Sequence, residues 1–140
     1  YGEYGHIFVD SLDEWVSKSL ETRERIVAYT HFAGNDYWAT DKQVNESDLY
    51  VIDVPGIKMF KRQYIGPKAV RVIYIHVGLI ELYRRMRARG ATFTESISRL
   101  VHDIWAFRGV KRMADVVIEN KNVWEARDDM VRYIEDVTNR

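Results

Sequence analysis

Three apolar runs separated by helical segments constrain the fold of this chain more than any other feature. They cover residues 48–54 (DLYVIDV), 69–77 (AVRVIYIHV) and 116–118 (VVI). Short apolar runs bounded by turn residues predict buried strands, and buried strands that alternate with helices predict a parallel sheet with helices on both faces. Ligands of such sheets bind at the carboxyl ends of the strands, where Asp53 and Asn120 stand in this sequence.

A β-hairpin is predicted in the first third of the chain. Residues 25–32 alternate between two sets of side chains, as a half-buried strand does, and Gly34 with Asn35 forms the predicted turn. The chain then returns through Tyr37 and Trp38. Other local signals predict a strand over residues 7–9, a helix that opens with a capping box of Ser11 and Glu14, and a brief helix over residues 41–45 capped by Thr40.

Arginines crowd residues 79–100 (LIELYRRMRARGATFTESISRL), where few acids balance them. The pattern predicts an amphipathic helix that ends at Gly90 and a second helix that is capped near Thr94. Arg89 then ends the first helix and Arg99 lies within the second. The two guanidinium groups are therefore candidates for a phosphate clamp, because their planar shape matches phosphate oxygens and their charge is permanent.

The alternative is that arginines of this stretch only solvate helix surfaces. We favour that interpretation for three of them, Arg84, Arg85 and Arg87. A short helix is also predicted over residues 57–63, and Asn122 with Glu125 predicts the cap of a closing helix.

The composition excludes several classes of function. The 140 residues contain 21 basic and 21 acidic side chains, so general attraction to nucleic acid or to an anionic membrane is not expected, and anion binding must be local. The absence of cysteine excludes disulfides, thiol catalysis and thiolate metal sites, and it favours a cytoplasmic location. The four histidines lack the paired spacing of a catalytic zinc site. The length indicates one domain.

Four motifs give the chain a resemblance to the guanylate kinase family, in that family's order. Residues 32–40 (FAGNDYWAT) resemble the hairpin usually written FSGNYYGST, and residues 51–56 (VIDVPG) resemble the strand end LDIDxQG. Residues 87–90 (RARG) with the later Arg99 are similar to the lid motif, and residues 114–120 (ADVVIEN) are similar to DYVVVND. Each motif is weak alone, but their common order and spacing make the resemblance fairly specific.

The resemblance implies an α/β fold of the P-loop nucleoside monophosphate kinase type. That fold has a parallel sheet with helices on both faces, a small β-rich acceptor lobe and a helical lid. It implies a single domain over residues 1–140, with the acceptor lobe at about residues 4–40, the lid at about residues 86–100 and the core in the remainder. The sequence contains no GxxxxGK[ST] motif, so we expect the first strand and the P-loop in a segment upstream of Tyr1.

The resemblance also implies the roles of individual residues. Asp53 would hold a water of a magnesium ion or contact the acceptor base. Tyr37 and, by a looser alignment, His6 would bind the acceptor phosphate, while Thr40 would lie near the base. The remaining assignments are Arg89 and Arg99 on the donor and transferring phosphates, and Asn120 beside the donor adenine. We expect the two arginines and Asp53 to converge on one nucleotide pocket.

The implied function is ATP-dependent phosphoryl transfer to a nucleoside monophosphate, with GMP or dGMP as the favoured acceptor and Mg²⁺ as the cofactor. Positions that read guanine in the family hold Ala28 and Ala39 here, and His31 or Asp36 on the same hairpin could replace them. These alanines favour the alternative function, a catalytically inactive guanylate-kinase-like module that binds a nucleotide or a phosphorylated partner. Asp53 and the donor-side arginines favour the enzyme.

Overall fold

The structure is a computed structural model that describes residues 11–22, 24–32 and 34–139. The predicted strand over residues 7–9 and the candidate residue His6 lie outside the described residues. The chain divides into two compact units, Tyr1–Lys68 and Ala69–Arg140, and each is described by itself. No helix in the described ranges has the length and apolar character that crossing a membrane requires.

The first unit is built around an antiparallel hairpin. Strand β1 (Ile26–Phe32) pairs with β2 (Asn35–Thr40), and Gly34 has a φ of +81° in the turn between them. The hairpin is confirmed, but Asn35 belongs to the strand, paired with Phe32, and not to the turn. The described residues of this unit also form the helices α1 (Leu12–Thr22), α2 (Asp41–Glu46) and α3 (Val54–Gln63).

Short polar contacts begin the first two helices as predicted. The Ser11 hydroxyl accepts a hydrogen bond from the Glu14 amide at 3.1 Å, at the start of α1. At α2 the Thr40 hydroxyl accepts from the Gln43 amide at 3.1 Å, and the Gln43 side chain accepts from the Thr40 amide at 3.0 Å. Thr40 is only 1% exposed, so this reciprocal cap closes the helix end away from water.

Replacing Thr40 with valine should lower the free energy of unfolding by about 1 to 2 kcal/mol, because the cap is lost where water cannot replace it. Thr92 forms the same kind of capping box at an exposed helix start, so Thr92→Val is the matched control and should cost less. Urea denaturation of both variants measures the difference. Equal losses at the two sites would show that burial of the cap does not matter.

The predicted strand over residues 48–54 is wrong. Residues 47–53 are irregular, and the helix α3 begins immediately after them. Val51 is 98% exposed, so this run is not buried as its apolar residues indicated. The signals that decide the outcome are Asp53 and Pro55, since an aspartate cap followed by proline in the first turn starts a helix.

The start of α3 also explains the glycine of the VIDVPG motif. The Asp53 side chain accepts a hydrogen bond from the Gly56 amide at 2.8 Å. A Cβ at position 56 would lie 2.8 Å from that carboxylate oxygen and 2.8 Å from the Ile52 side chain. Because real Cβ atoms do not approach so closely, a larger residue at this position would force the Asp53 or Ile52 side chain to shift.

The core of the first unit lies between the hairpin and α3. Phe60 of α3 stacks on Tyr64 with ring centroids 4.7 Å apart, and Trp15 of α1 contacts Trp38 edge-on at 5.6 Å. Ile52 and Tyr64 pack against the buried cluster. The members of that cluster are Val27, Ala28, Ala39, Val44 and Phe60.

The second unit contains a parallel strand pair. Strand β3 (Ile73–His76) lies beside β4 (Val116–Glu119), with Ile73 opposite Val116 and His76 opposite Glu119. These strands confirm the second and third apolar runs, although β3 is shorter than its run. The described chain is therefore mixed α/β with two small sheets, one antiparallel and one parallel.

Helices connect and follow the parallel strands. They are α4 (Leu79–Ala88), α5 (Phe93–Ala106), a single 3₁₀ turn (Val110–Arg112) and the closing α6 (Val123–Thr138). Gly90, with a φ of +90°, makes the predicted turn between α4 and α5. The cap of α5 is Thr92 and not Thr94, because Thr92 stands three residues before Glu95 and can form the capping box. Asn122 caps α6 as predicted.

Candidate functional site

The hairpin places its two candidate ligand contacts in different surroundings. Tyr37 is exposed, lies opposite Thr30, and its phenol makes no side-chain hydrogen bond within the described ranges. It is therefore open to a phosphate. Thr40 is buried and its hydroxyl already caps α2, so its expected place beside a base stays a prediction.

Asp53 is half-buried at the beginning of α3. One carboxylate oxygen holds the Gly56 amide at 2.8 Å, and the nearby carboxylate contributes to a raised pKa of the Tyr50 phenol, which is due first to burial. This capping role is the ordinary structural reason for an aspartate at such a position. The second oxygen remains for a ligand or a metal-bound water.

The positions that the resemblance assigns to base recognition face each other across the hairpin. Ala28 is the direct cross-strand partner of Ala39, and both are buried. They belong to the cluster that includes Phe60, and their own side chains contribute only methyl groups. Neither alanine side chain could form a hydrogen bond that recognises the polar edge of a base at this position.

His31 and Asp36 do not replace those alanines at the same place. They pair directly across the hairpin, each three residues from the alanine of its own strand. Because side chains of a strand alternate between faces, His31 and Asp36 lie on the opposite face from Ala28 and Ala39. The suggestion that they compensate for the missing base readers at that site is therefore wrong.

A polar cluster that the sequence analysis did not assign occupies this other face. One oxygen of Asp36, Oδ1, accepts the Tyr29 hydroxyl at 2.7 Å and lies 2.7 Å from His31 Nδ1. The contacts with His31 and then Tyr29 lower the pKa of the Asp36 carboxyl, and the contact with Asp36 raises the pKa of the Tyr29 phenol. The sequence did not indicate this cluster, because it depends on the exact cross-strand register of the hairpin.

The arginines of α4 and α5 fall into two groups. Arg84 and Arg85 pair with Glu81, and Arg87 donates to the Ala91 carbonyl at 2.7 Å. Arg89 ends α4 and Arg99 lies within α5; both are exposed, and neither guanidinium has a hydrogen bond or ion pair in the part of the chain that the structure describes. Their place in a phosphate clamp stays a prediction.

Arg85 has a structural role that the sequence did not indicate. Its Nη2 donates to the Asn120 carbonyl at 3.0 Å and lies 3.4 Å from the Asn120 side-chain oxygen, while Nε donates to Glu81 at 2.8 Å. Arg85 therefore ties α4 to the carboxyl end of β4. The interpretation of Arg85 as a solvating surface residue is wrong, because its guanidinium is 30% exposed and joins segments 35 residues apart.

Arg85→Ala should lower the free energy of unfolding by about 1 to 2 kcal/mol, because hydrogen bonds from a charged donor to Asn120 and Glu81 are lost. Arg84→Ala is the control: Arg84 is 79% exposed and pairs, among the described residues, with Glu81 alone, so its loss should cost less than about 0.5 kcal/mol. Chemical denaturation compares the two variants. A larger loss at Arg84 would contradict the role given to Arg85.

The described residues offer few ligands for a metal ion. Among the residues that the structure describes, no group of three or more His, Asp or Glu side chains is arranged to hold one. Mg²⁺ at a phosphoryl-transfer site keeps several waters and takes other ligands from the substrate phosphates. A single carboxylate such as Asp53 fits that arrangement through a bound water.

The candidate residues fall in both units. Tyr37, Thr40 and Asp53 belong to the first unit, while Arg89, Arg99 and Asn120 belong to the second, so their convergence stays a prediction. A scan against protein-family models finds none that matches the chain, and a search of curated proteins also finds no match. The resemblance to guanylate kinases therefore depends on the four motifs, of which residues 51–56 begin a helix and do not end a strand.

Proposed function

We propose that this chain supplies the acceptor lobe, core and lid of an ATP-dependent nucleoside monophosphate kinase of the guanylate kinase type. GMP or dGMP is the favoured acceptor. The observation that carries the proposal is the state of Arg89 and Arg99, which stand exposed and without an acidic partner among the described residues. The three arginines of α4, by contrast, have partners within the unit.

The chemistry of phosphoryl transfer suits such residues. The transferring group carries its charge on oxygens, so catalysis consists mainly of positioning and neutralisation. Arg89 and Arg99 would neutralise the donor and transferring phosphates, and Tyr37 would donate a hydrogen bond to the acceptor phosphate. Asp53 would hold a water of the Mg²⁺ ion that accompanies ATP, and Asn120 would lie beside the adenine. No general base is needed, because the acceptor is already a phosphate.

The proposal includes the P-loop kinase fold, of which the parallel pair β3 and β4 would form part. It also requires a P-loop, because backbone amides and a lysine must hold the β and γ phosphates. The 140 residues contain no GxxxxGK[ST] motif, so the proposal assigns this loop to an additional upstream segment.

The second candidate is a binding module that has the fold without the reaction. One observation favours it: Ala28 and Ala39 form a buried cross-strand pair with no group that reads a base. A site built to hydrogen-bond a substrate rejects analogues by about 10⁴, and that discrimination disappears when the side chains are alanine. Such a module would use Tyr37 for a phosphorylated partner.

An assay of ADP release from ATP with each ribo- and deoxynucleoside monophosphate distinguishes the candidates when it is combined with the reading frame upstream of Tyr1. A P-loop motif in that frame together with acceptor-dependent ADP release supports the kinase. If there is no motif and no ADP release, the kinase is excluded. Calorimetry with GMP, dGMP and AMP on the 140-residue chain then measures whether the module binds nucleotides and which base it prefers.

A further inference from the structure

The polar cluster on the exposed hairpin face has a chemistry that phosphoryl transfer does not use. Its members are Tyr29, His31 and Asp36, held together by contacts of 2.7 Å from the tyrosine hydroxyl and from His31 Nδ1 to the same carboxylate oxygen. Two short contacts fix the orientation of the carboxylate. The imidazole of His31 is 61% exposed, so its other nitrogen faces water or a ligand.

The partners determine which nitrogen of His31 carries the proton. The pKa of Asp36 is lowered, so the group is ionised near neutral pH and can only accept hydrogen bonds. Nδ1 must therefore be the donor. In the neutral imidazole Nε2 then carries no proton, and it has no hydrogen bond within the described chain. When a carboxylate accepts the Nδ1–H of a histidine, it fixes the tautomer in which Nε2 can accept a proton. The carboxylate also stabilises the imidazolium that forms.

We infer that His31, oriented by Asp36, is a general base for the hydrolysis of uncharged activated esters. In this step Nε2 takes a proton from a water molecule while the water oxygen forms a bond to the ester carbonyl carbon. The bond from that carbon to the leaving alcohol oxygen then breaks, the alcohol leaves as its anion, and the imidazolium returns its proton to solvent. An uncharged substrate is specified because the Asp36 carboxylate repels anions.

The other described histidines lack this arrangement. His102 is 70% exposed, but its Nδ1 lies 3.5 Å from Asp103, too far for a comparable hydrogen bond. The Nδ1 of His76 faces the Tyr74 hydroxyl at 3.4 Å, and its Nε2 lies 4.0 Å from Glu119. His102 is therefore a matched control: its exposure is similar, and its neighbouring carboxylate lies at 3.5 Å where that of His31 lies at 2.7 Å.

The test measures hydrolysis of p-nitrophenyl acetate by the 140-residue chain and its variants. His31→Gln should remove most of the protein-dependent rate, and His102→Gln should leave it unchanged. Asp36→Asn should lower the rate at least about tenfold, within the range of general-base catalysis, because an amide can donate to Nδ1 and reverse the tautomer. Asp36→Glu, which restores a carboxylate, should recover part of the rate. Circular dichroism verifies that each variant remains folded.

The solvent isotope effect separates this role from a structural one. If His31 moves a proton in the rate-limiting step, the wild-type rate falls in D₂O, and the residual rate of His31→Gln does not. Equal losses for His31→Gln and His102→Gln would overturn the inference. So would accumulation of an acetyl-imidazole at His31 without an isotope effect, because His31 would then be a nucleophile. None of these outcomes depends on nucleotide binding.

Discussion

Exchanging Arg99 for methionine is expected to lower kcat/KM for phosphoryl transfer by about a thousandfold in the P-loop-bearing protein that the proposal requires. Methionine keeps the unbranched side chain, so the helix is preserved and only the guanidinium is lost. A thousandfold change corresponds to about 4 kcal/mol of transition-state stabilisation. The effect should appear mainly in kcat, since an arginine that contacts the transferring phosphate acts in the transition state.

Two further variants make this prediction specific. Arg99→Lys should recover only part of the activity, because an ammonium supplies charge without the planar fork of donors. Arg84→Met removes an arginine from the neighbouring helix α4 that already pairs with Glu81, and it should leave activity unchanged. If Arg84→Met and Arg99→Met reduce kcat/KM equally, only general positive charge matters and the clamp is excluded.

Phe60→Ala should destabilise the first unit by about 3 to 5 kcal/mol. The Phe60 ring is 9% exposed, belongs to the buried cluster with Val27 and Val44, and stacks on Tyr64 at 4.7 Å. Its removal leaves a cavity beside the hairpin, because the surrounding backbone can only partly collapse. Thermal and urea unfolding followed by the circular dichroism of the chain measure the loss.

Phe93 provides the control for that core substitution. It is also an aromatic residue on a helix, but it is 63% exposed, and its ring meets that of Tyr83 in an edge arrangement with centroids 6.4 Å apart. Phe93→Ala should therefore cost less than about 1 kcal/mol. A cost at Phe60 as small as the cost at Phe93 would show that the hairpin and α3 do not share a core.

Local signals predicted the elements whose stability is local. The hairpin follows from strand alternation and Gly34, and the cap of α2 follows from Thr40. Where an apolar run competed with residues that start a helix, the helix-start residues decided the structure. Residues 48–54 look like a buried strand, but Asp53 and Pro55 start a helix and the preceding run is irregular.

Local sequence signals could not predict side-chain contacts between separate elements of the chain. Arg85 reaches the Asn120 carbonyl across 35 residues, and nothing in the sequence near Arg85 indicates that partner. The cluster of Tyr29, His31 and Asp36 requires the exact cross-strand register, in which a shift by one residue would move Asp36 to the other face. The exposure of Arg89 and Arg99 was predictable from the shortage of acids around them.

The central claim is that Arg89 and Arg99 act with Asp53 on one nucleotide. The most direct measurement is a nitrogen-15 NMR titration of the P-loop-bearing protein that the proposal requires, with a dinucleotide in which adenosine and guanosine are joined by five phosphates. We predict saturable shifts, with one common dissociation constant, at the side-chain Nε–H of Arg89 and Arg99 and at the amide of Asp53. Shifts absent from these three residues, or saturating with different constants, would contradict a common site.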